Sequence, residues 1–186
     1  MVLDYAASAI RMGRLVAFPT ETVYGIAANR LDRKAIRDLV KAKNRPVSKK
    51  FTVHISDLAM IGKMKCRVTK KAKRLIDKFW PGALTIILKS RTGEKIGFRM
   101  PANKVALSLI AEAGVPVIAP SANVSGKKPP TNAMQVLKEL NGKIDLLLDA
   151  GPTDVGIEST VIDLTITPPK VLREGAISLK KLSKFL

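Results

Sequence analysis

The sequence predicts an α/β fold in which a twisted, mixed parallel and antiparallel sheet carries packed helices. Three observations lead there. Stretches with a helical period of about 3.6 residues alternate along the chain with short runs of strand character. Some strand-like runs follow one another directly, as hairpins do, and others are separated by a helix, as parallel crossovers are, so the sheet must contain both pairings. At 186 residues and 46% hydrophobic content the chain can fill a single core, and residues 1–186 read as one domain.

Asp4 to Arg11 reads as a helix closed by Gly13, and Leu15 to Phe18 as a buried strand entering a Pro19-Thr20 loop. Asp32 is placed to N-cap a helix with Ala35, Ile36, Leu39 and Val40 on one face, ending near Lys43. Phe51 to Ile55 alternates as a strand. Ser56 is placed to cap a short helix, and Thr69 a longer one with Ala72, Leu75, Ile76 and Phe79 inward. Two strands follow, over 84–88 and 96–100, then a helix from Asn103 to Ala113 stopped by Gly114, and an apolar strand over 115–119 that exits into a loop at Ser121. Thr131 or Asn132 caps a helix through Leu140, Asn141-Gly142 turns the chain, and strands follow at 144–148, 159–164 and 170–173. A terminal amphipathic helix carries Leu179, Leu182 and Phe185. Ligand loops belong at strand C-terminal ends, where the Pro19-Thr20 and Ser121 loops fall.

Thirty-three Lys and Arg against 15 Asp and Glu give a formal charge of +18, which points to an anionic partner, RNA first. The excess falls in two blocks, from Arg33 to Lys50 and from Lys63 to Lys78. Solvated helix faces, or a thermophile-like charged surface, account for the same pattern. Aromatics at 4% disfavour an RNA-recognition fold built on base stacking, and Trp80 reads as a half-buried helix end. The lone Cys66 excludes an internal disulfide and reads as a free core thiol. With no charged-then-apolar leader and no apolar run near 18 residues, the chain reads as soluble and cytoplasmic, without a membrane partner. One histidine and one cysteine do not make a zinc site, so no metal is expected from the protein's own ligands. The sequence lacks the glycine-rich P-loop, the Gly-x-Gly-x-x-Gly turn and the Gly-x-Ser-x-Gly elbow.

Two short segments carry the chemistry: Lys43-Asn44-Arg45-Pro46 and Pro120-Ser121-Ala122-Asn123-Val124-Ser125-Gly126. In extended backbone, Lys43 and Arg45 share a face, as do Ser121 and Asn123. Pro46 biases Arg45 toward that geometry. Two cations and two neutral hydrogen-bonding groups suit a polyphosphate and a small polar substrate. On composition alone the cations read as surface residues, and Ser121 and Asn123 as turn formers. His54, mid-strand, reads equally as a satisfied core imidazole.

Those segments, with 18–25 Phe-Pro-Thr-Glu-Thr-Val-Tyr-Gly, Trp80-Pro81-Gly82-Ala83-Leu84-Thr85, Arg99-Met100-Pro101, Gly156-Ile157-Glu158-Ser159-Thr160 and Leu172-Arg173-Glu174-Gly175, form an ordered set. It resembles the threonylcarbamoyl-AMP synthase family, the YrdC-like proteins, over roughly residues 4 to 177. The resemblance implies a YrdC-like fold and an ATP-dependent synthase that joins L-threonine, bicarbonate or CO2, and ATP into threonylcarbamoyl-AMP and pyrophosphate. Mg2+ would be carried by the triphosphate. A transferase complex downstream would modify adenosine 37 of tRNA. Lys43, Arg45, Ser121 and Asn123 would be the catalytic set, Thr85, Arg99, Ser159 and Arg173 nucleotide contacts, and Thr20, Thr22, Tyr24 and His54 the threonine pocket. Longer members carry a C-terminal domain, whereas here about ten residues follow Gly175. After Pro46 many members continue with an Asn-Pro-Leu-like run, whereas Ser48-Lys49-Lys50-Phe51 intervenes here. An RNA-binding module of the same fold without ATP turnover, or a carbamoyl-adenylate-forming enzyme of the hydrogenase-maturation type, are the rival functions.

Overall fold

The computed structural model describes residues 2–46 and 48–186. In chain order the elements are α1 (Val2–Arg11), β1 (Val16–Phe18), β2 (Gly25–Asn29), α2 (Arg33–Lys43), β3 (Thr52–His54), α3 (Ala59–Lys63), α4 (Lys70–Phe79), β4 (Leu84–Lys89), β5 (Lys95–Arg99), α5 (Lys104–Ala113), β6 (Val117–Ile118), α6 (Ala133–Leu140), β7 (Leu146–Leu147), β8 (Thr160–Asp163), β9 (Lys170–Arg173) and α7 (Leu179–Ser183).

Capping follows the sequence signals. The Asp32 carboxylate accepts from the N–H groups of Lys34 and Ala35, Thr69 from Ala72, Asn103 from Ala106 and Asn132 from Gln135, each satisfying an orphan donor of its helix. Gly114 closes α5 in the left-handed region at φ 65°. Ser56 does not cap: α3 starts later, the Asp57 carboxylate takes the Ala59 N–H at 2.6 Å, and the Ser56 hydroxyl lies 3.6 Å from the Met60 sulfur. An ionised acceptor one residue nearer the helix displaces the hydroxyl.

The strands form one sheet in the order β7-β1-β2-β6-β3-β5-β4-β8-β9. The β1–β7, β3–β5 and β4–β8 pairs are parallel and the other pairs antiparallel, as expected of a mixed sheet. β2 is the element absent from the sequence reading. Its Gly-Ile-Ala-Ala-Asn run has neither alternation nor β-branched richness, because all five residues are buried and the strand is covered on both faces. Ile26 and Ala28 feed one core, with α2, α4 and α6, while Ala27 feeds the other, with α1 and α5.

Toward the β9 edge the coverage is one-sided. Val53, Phe98, Ile86 and Ile162 point into the first core. By the period of two, Thr52 and His54 of β3, Gly97 and Arg99 of β5, Thr85 of β4 and Arg173 of β9 point to the opposite face. That face carries these polar side chains and holds the site.

Candidate active site

The floor of the site is the polar face of β3, β5, β4, β8 and β9. Its rim consists of the loop after β1, the loop after β6, and the segment between α2 and β3. The cavity has a volume of about 110 Å³ and opens to solvent. A Cβ on Gly97 would meet Thr52 Oγ1 and Thr85 Cγ2 at 3.5 Å, so glycine there keeps the floor low between its neighbours.

Of the predicted residues, Thr20, Tyr24, Arg45, His54, Thr85, Arg99, Ser121, Ser159 and Arg173 line this one cavity, although they come from stretches far apart in the chain. Four cations, Arg45, Lys50, Arg99 and Arg173, face one carboxylate, Glu158. A low-dielectric recess with that balance is suited to a polyanion.

Each of the three arginines is held in place. The Arg45 guanidinium stacks 4.9 Å from the Phe51 ring centroid and donates to the carbonyls of Lys49 and Lys50 at 3.3 and 3.0 Å. Arg173 donates from Nε to the Ser159 carbonyl at 3.0 Å and pairs with Glu158 at 2.8 Å. The Thr85 and Ser159 hydroxyls meet at 2.9 Å across the β4–β8 pairing, and Arg173 Nη2 reaches the Ser159 hydroxyl at 3.3 Å. Arg99 donates to the Gly82 carbonyl at 3.2 Å and the Thr22 hydroxyl at 2.8 Å, and pairs with Glu21 at 2.8 Å.

Lys43 and Asn123 do not line the cavity. The extended geometry expected for both segments is not what forms. Lys43 is the last residue of α2 and Asn44 turns left-handed at φ 46°, so Lys43 and Arg45 diverge. Lys43 is 1% exposed, and its Nζ donates to the Ser121 carbonyl and, at 2.6 Å, to that of Asn123. Burial pushes its pKa down to about 8, with Arg45 adding repulsion. At Ser121 the chain makes a tight turn, with the Asn123 N–H donating to the Ser121 carbonyl at 3.0 Å, which sends the two side chains to different sides. Asn123 then donates to the Val124 and Lys127 carbonyls at 2.9 and 2.7 Å. Lys43 and Asn123 build the rim from behind.

The assigned threonine end is similarly mixed. Thr20 Oγ1 donates to the Val23 carbonyl at 2.7 Å and accepts from the Thr22 and Val23 N–H groups, which fixes the turn. Thr22 is fully buried behind the wall, holding Arg99. Tyr24 is a lining residue, but its side chain is buried in the first core and its hydroxyl donates to the Gly151 carbonyl at 2.7 Å. Burial and the Asp149 carboxylate raise its pKa. His54 lines the cavity with Nδ1 unpartnered among the described residues. Burial, helped by the Arg99 charge, pushes its pKa down to about 3, so the ring is neutral at pH 7.

Lys50, Phe51 and Glu158 join the site as well. Glu158 stands in the Gly-Ile-Glu-Ser-Thr run, while Lys50 and Phe51 lie in the Ser-Lys-Lys-Phe run after Pro46, and only the charge of Lys50 signals them. Trp80 caps α4 and donates from Nε1 to the Leu84 carbonyl at 2.7 Å, away from the cavity. Cys66 is a buried free thiol, as expected. Among the described residues no cluster of His, Cys, Asp and Glu could hold a metal ion, and no helix is long and apolar enough to cross a membrane.

A mixed sheet with a cation-lined recess defines an α/β protein with a site suited to small anions. The chain belongs to the Sua5/YciO/YrdC family, whose profile, described as telomere recombination, matches residues 8–175. A Pyrococcus abyssi protein named threonylcarbamoyl-AMP synthase is 44% identical over 190 residues, covering 97% of this chain and 56% of that protein. A Bacillus subtilis protein of the same name is 41% identical over 191 residues, covering 97% and 55%. The crystal structure of P. abyssi Sua5 complexed with L-threonine superposes with a TM-score of 0.94 at 41% identity, covering 99% of this chain and 57% of that one. The chain thus spans about half the length of these relatives.

Proposed function

We propose that the 186 residues act as one catalytic domain that makes threonylcarbamoyl-AMP from L-threonine, bicarbonate or CO2, and ATP. The observation that carries the reading is the lining: four cations around one carboxylate, beside a hydroxyl-bearing end with a neutral imidazole. The similarity to proteins named threonylcarbamoyl-AMP synthase supplies the reaction.

The threonine amine and bicarbonate form a carbamate with loss of water. A carbamate oxygen then forms a bond to the ATP α-phosphorus while the bond to the β-phosphate oxygen breaks, and pyrophosphate leaves. Neither partner is a strong nucleophile, so catalysis rests on positioning and charge neutralisation. Arg45, Lys50 and Arg173 face the triphosphate, with Arg45 offering a planar fork and Lys50 a mobile point charge. The linked Thr85 and Ser159 hydroxyls take the ribose or a phosphate. Thr20, His54 and Arg99 receive threonine, with the neutral His54 imidazole placed to bond its hydroxyl. Lys43 and Asn123 hold the Ser121 turn at the rim. Mg2+ enters with ATP, since the described residues supply no ligand cluster and such ions bind chiefly through phosphates. The product would pass to a separate transferase acting on tRNA in the cytoplasm.

Release of pyrophosphate from ATP, measured with threonine and bicarbonate each present or withheld, tests this. The reading requires dependence on both.

A second reading has its own observation. The exposed Lys70, Lys73, Arg74 and Lys78 of α4, with Lys63, Lys65 and Arg67 before it, form a cationic face apart from the cavity. This face is proposed to hold RNA through phosphate contacts, tRNA or duplex RNA alike.

A further inference from the structure

Glu21 is absent from the cavity lining, yet it is a carboxylate whose side chain is only 8% exposed. Its one ionic partner is Arg99, at 2.8 Å, with a side chain 6% exposed. Among the described residues neither Glu21 oxygen accepts a well-aligned hydrogen bond, so the carboxylate is buried for that single contact. Arg99 directs Nε to the Gly82 carbonyl and Nη2 to the Thr22 hydroxyl and Glu21. No described group engages Nη1, and Arg99 lines the cavity beside His54, its direct partner in the β3–β5 pairing. The Glu21 main chain is fixed as well, its carbonyl accepting from the Val155 N–H at 2.9 Å.

We propose that Glu21 is a positioning residue: it anchors the buried Arg99 guanidinium from behind the wall, so that the uncommitted Nη1 edge faces the cavity as a preset anion contact. An arginine held by a charge partner and a hydroxyl on one side loses little freedom on binding a ligand with the other. A buried guanidinium without its carboxylate would instead turn toward solvent or toward its other carbonyl partner.

The proposal rests on the reading that the cavity binds threonine and ATP, and its test separates the two. Calorimetric affinities for L-threonine and for ATP are measured on the wild type, Glu21→Gln, Arg99→Gln and the double variant, with melting curves confirming a folded protein. The ligand that Arg99→Gln weakens should be weakened about tenfold by Glu21→Gln, and by less than about twofold when Glu21→Gln is added to Arg99→Gln. Glu21→Asp, which keeps the charge and shortens the reach, should fall between. An equal Glu21 effect in both backgrounds, or none in either, overturns the proposal. A ligand-free readout covers the case in which the wild type binds neither compound and the functional reading fails. The Arg99 guanidinium Nη proton resonances should be separately resolved in the wild type, because rotation is hindered, and averaged in Glu21→Gln. Averaged resonances in the wild type overturn the positioning role whatever the function.

Discussion

Lys43 and Asn123 are joined by a 2.6 Å hydrogen bond from the lysine ammonium to the asparagine main-chain carbonyl, and of the four predicted catalytic residues these two stand outside the cavity lining. Arg45 and Ser121 line the cavity, while Lys43 and Asn123 brace the loop between them. The Ser125 N–H, donating to the Lys43 carbonyl at 2.8 Å, completes the brace.

That division predicts different phenotypes for the two cations. Arg45→Ala should lower kcat/KM by the equivalent of about 2 to 4 kcal/mol, the scale of one preorganised electrostatic donor, with the melting temperature nearly unchanged. Lys43→Ala should lower activity and also cost about 1 to 3 kcal/mol of stability, because two buried carbonyls lose their donor. Equal melting temperatures in both variants would place Lys43 in the ligand site instead of behind it.

His54 gives a pH signature. Its pKa is pushed from the ordinary 6.5 to about 3 by burial, so between those values the unfolded chain binds the proton and the folded chain does not. Stability therefore falls as pH falls through that window, by at most about 1.4 kcal/mol per pH unit from this group. Carboxylates also titrate there, so the measurement is a difference: the denaturant midpoint should fall more steeply with acid in the wild type than in His54→Gln. Parallel curves would show that the imidazole is not held neutral.

The cavity end bearing Thr20 and His54 should select the substrate hydroxyl. A site built to hydrogen-bond a hydroxyl rejects the isostere lacking it far better than an apolar site rejects one that carries it. Valine should be almost inert and serine poor. Comparable pyrophosphate release with valine would remove His54 from threonine recognition.

Gly175 is predicted to be irreplaceable. A Cβ there would lie 2.2 Å from the Glu158 carbonyl oxygen and 2.7 Å from the Ser159 carbonyl carbon, both rigid backbone. The Gly175 and Ile177 N–H groups also converge on the Thr160 hydroxyl at 2.9 and 3.0 Å. Gly175→Ala should cost about 1 to 3 kcal/mol by overpacking and displace the Ser159–Arg173 wall. An unchanged melting temperature and unchanged ATP affinity would contradict this packing.

For the basic face, replacing Lys70, Lys71, Lys73 and Arg74 by Gln should flatten the slope of log affinity for RNA against log salt by up to about 3, at ~0.7 to 0.9 per phosphate contact. The loss should fall short of four contacts because Lys73 is paired with Asp77. An unchanged slope would make α4 plain solvated surface.

The sequence was legible where one physical cause dominates. Asp32, Thr69, Asn103 and Asn132 stand at true helix starts because an unsatisfied N–H needs a short polar acceptor there. Alternation at Thr52-Val53-His54 marked the strand. β2 was invisible because a strand buried on both faces leaves no period, and its alanines carry no β signal. An extended-chain assumption put Lys43 beside Arg45 and Asn123 beside Ser121 on shared faces, which one left-handed residue at Asn44 and one tight turn at Ser121 undo. Glu21 escaped notice because a lone acidic residue gains meaning only when folding brings Arg99, far along the chain, against it.

The account turns on whether this chain joins the three substrates itself. Incubated with ATP, Mg2+, L-threonine and isotope-labelled bicarbonate, the purified protein should yield threonylcarbamoyl-AMP carrying the bicarbonate label, detected by mass spectrometry together with an equal amount of pyrophosphate. Absence of a labelled adenylate, or an adenylate formed from carbamoyl phosphate in place of threonine and bicarbonate, would contradict it.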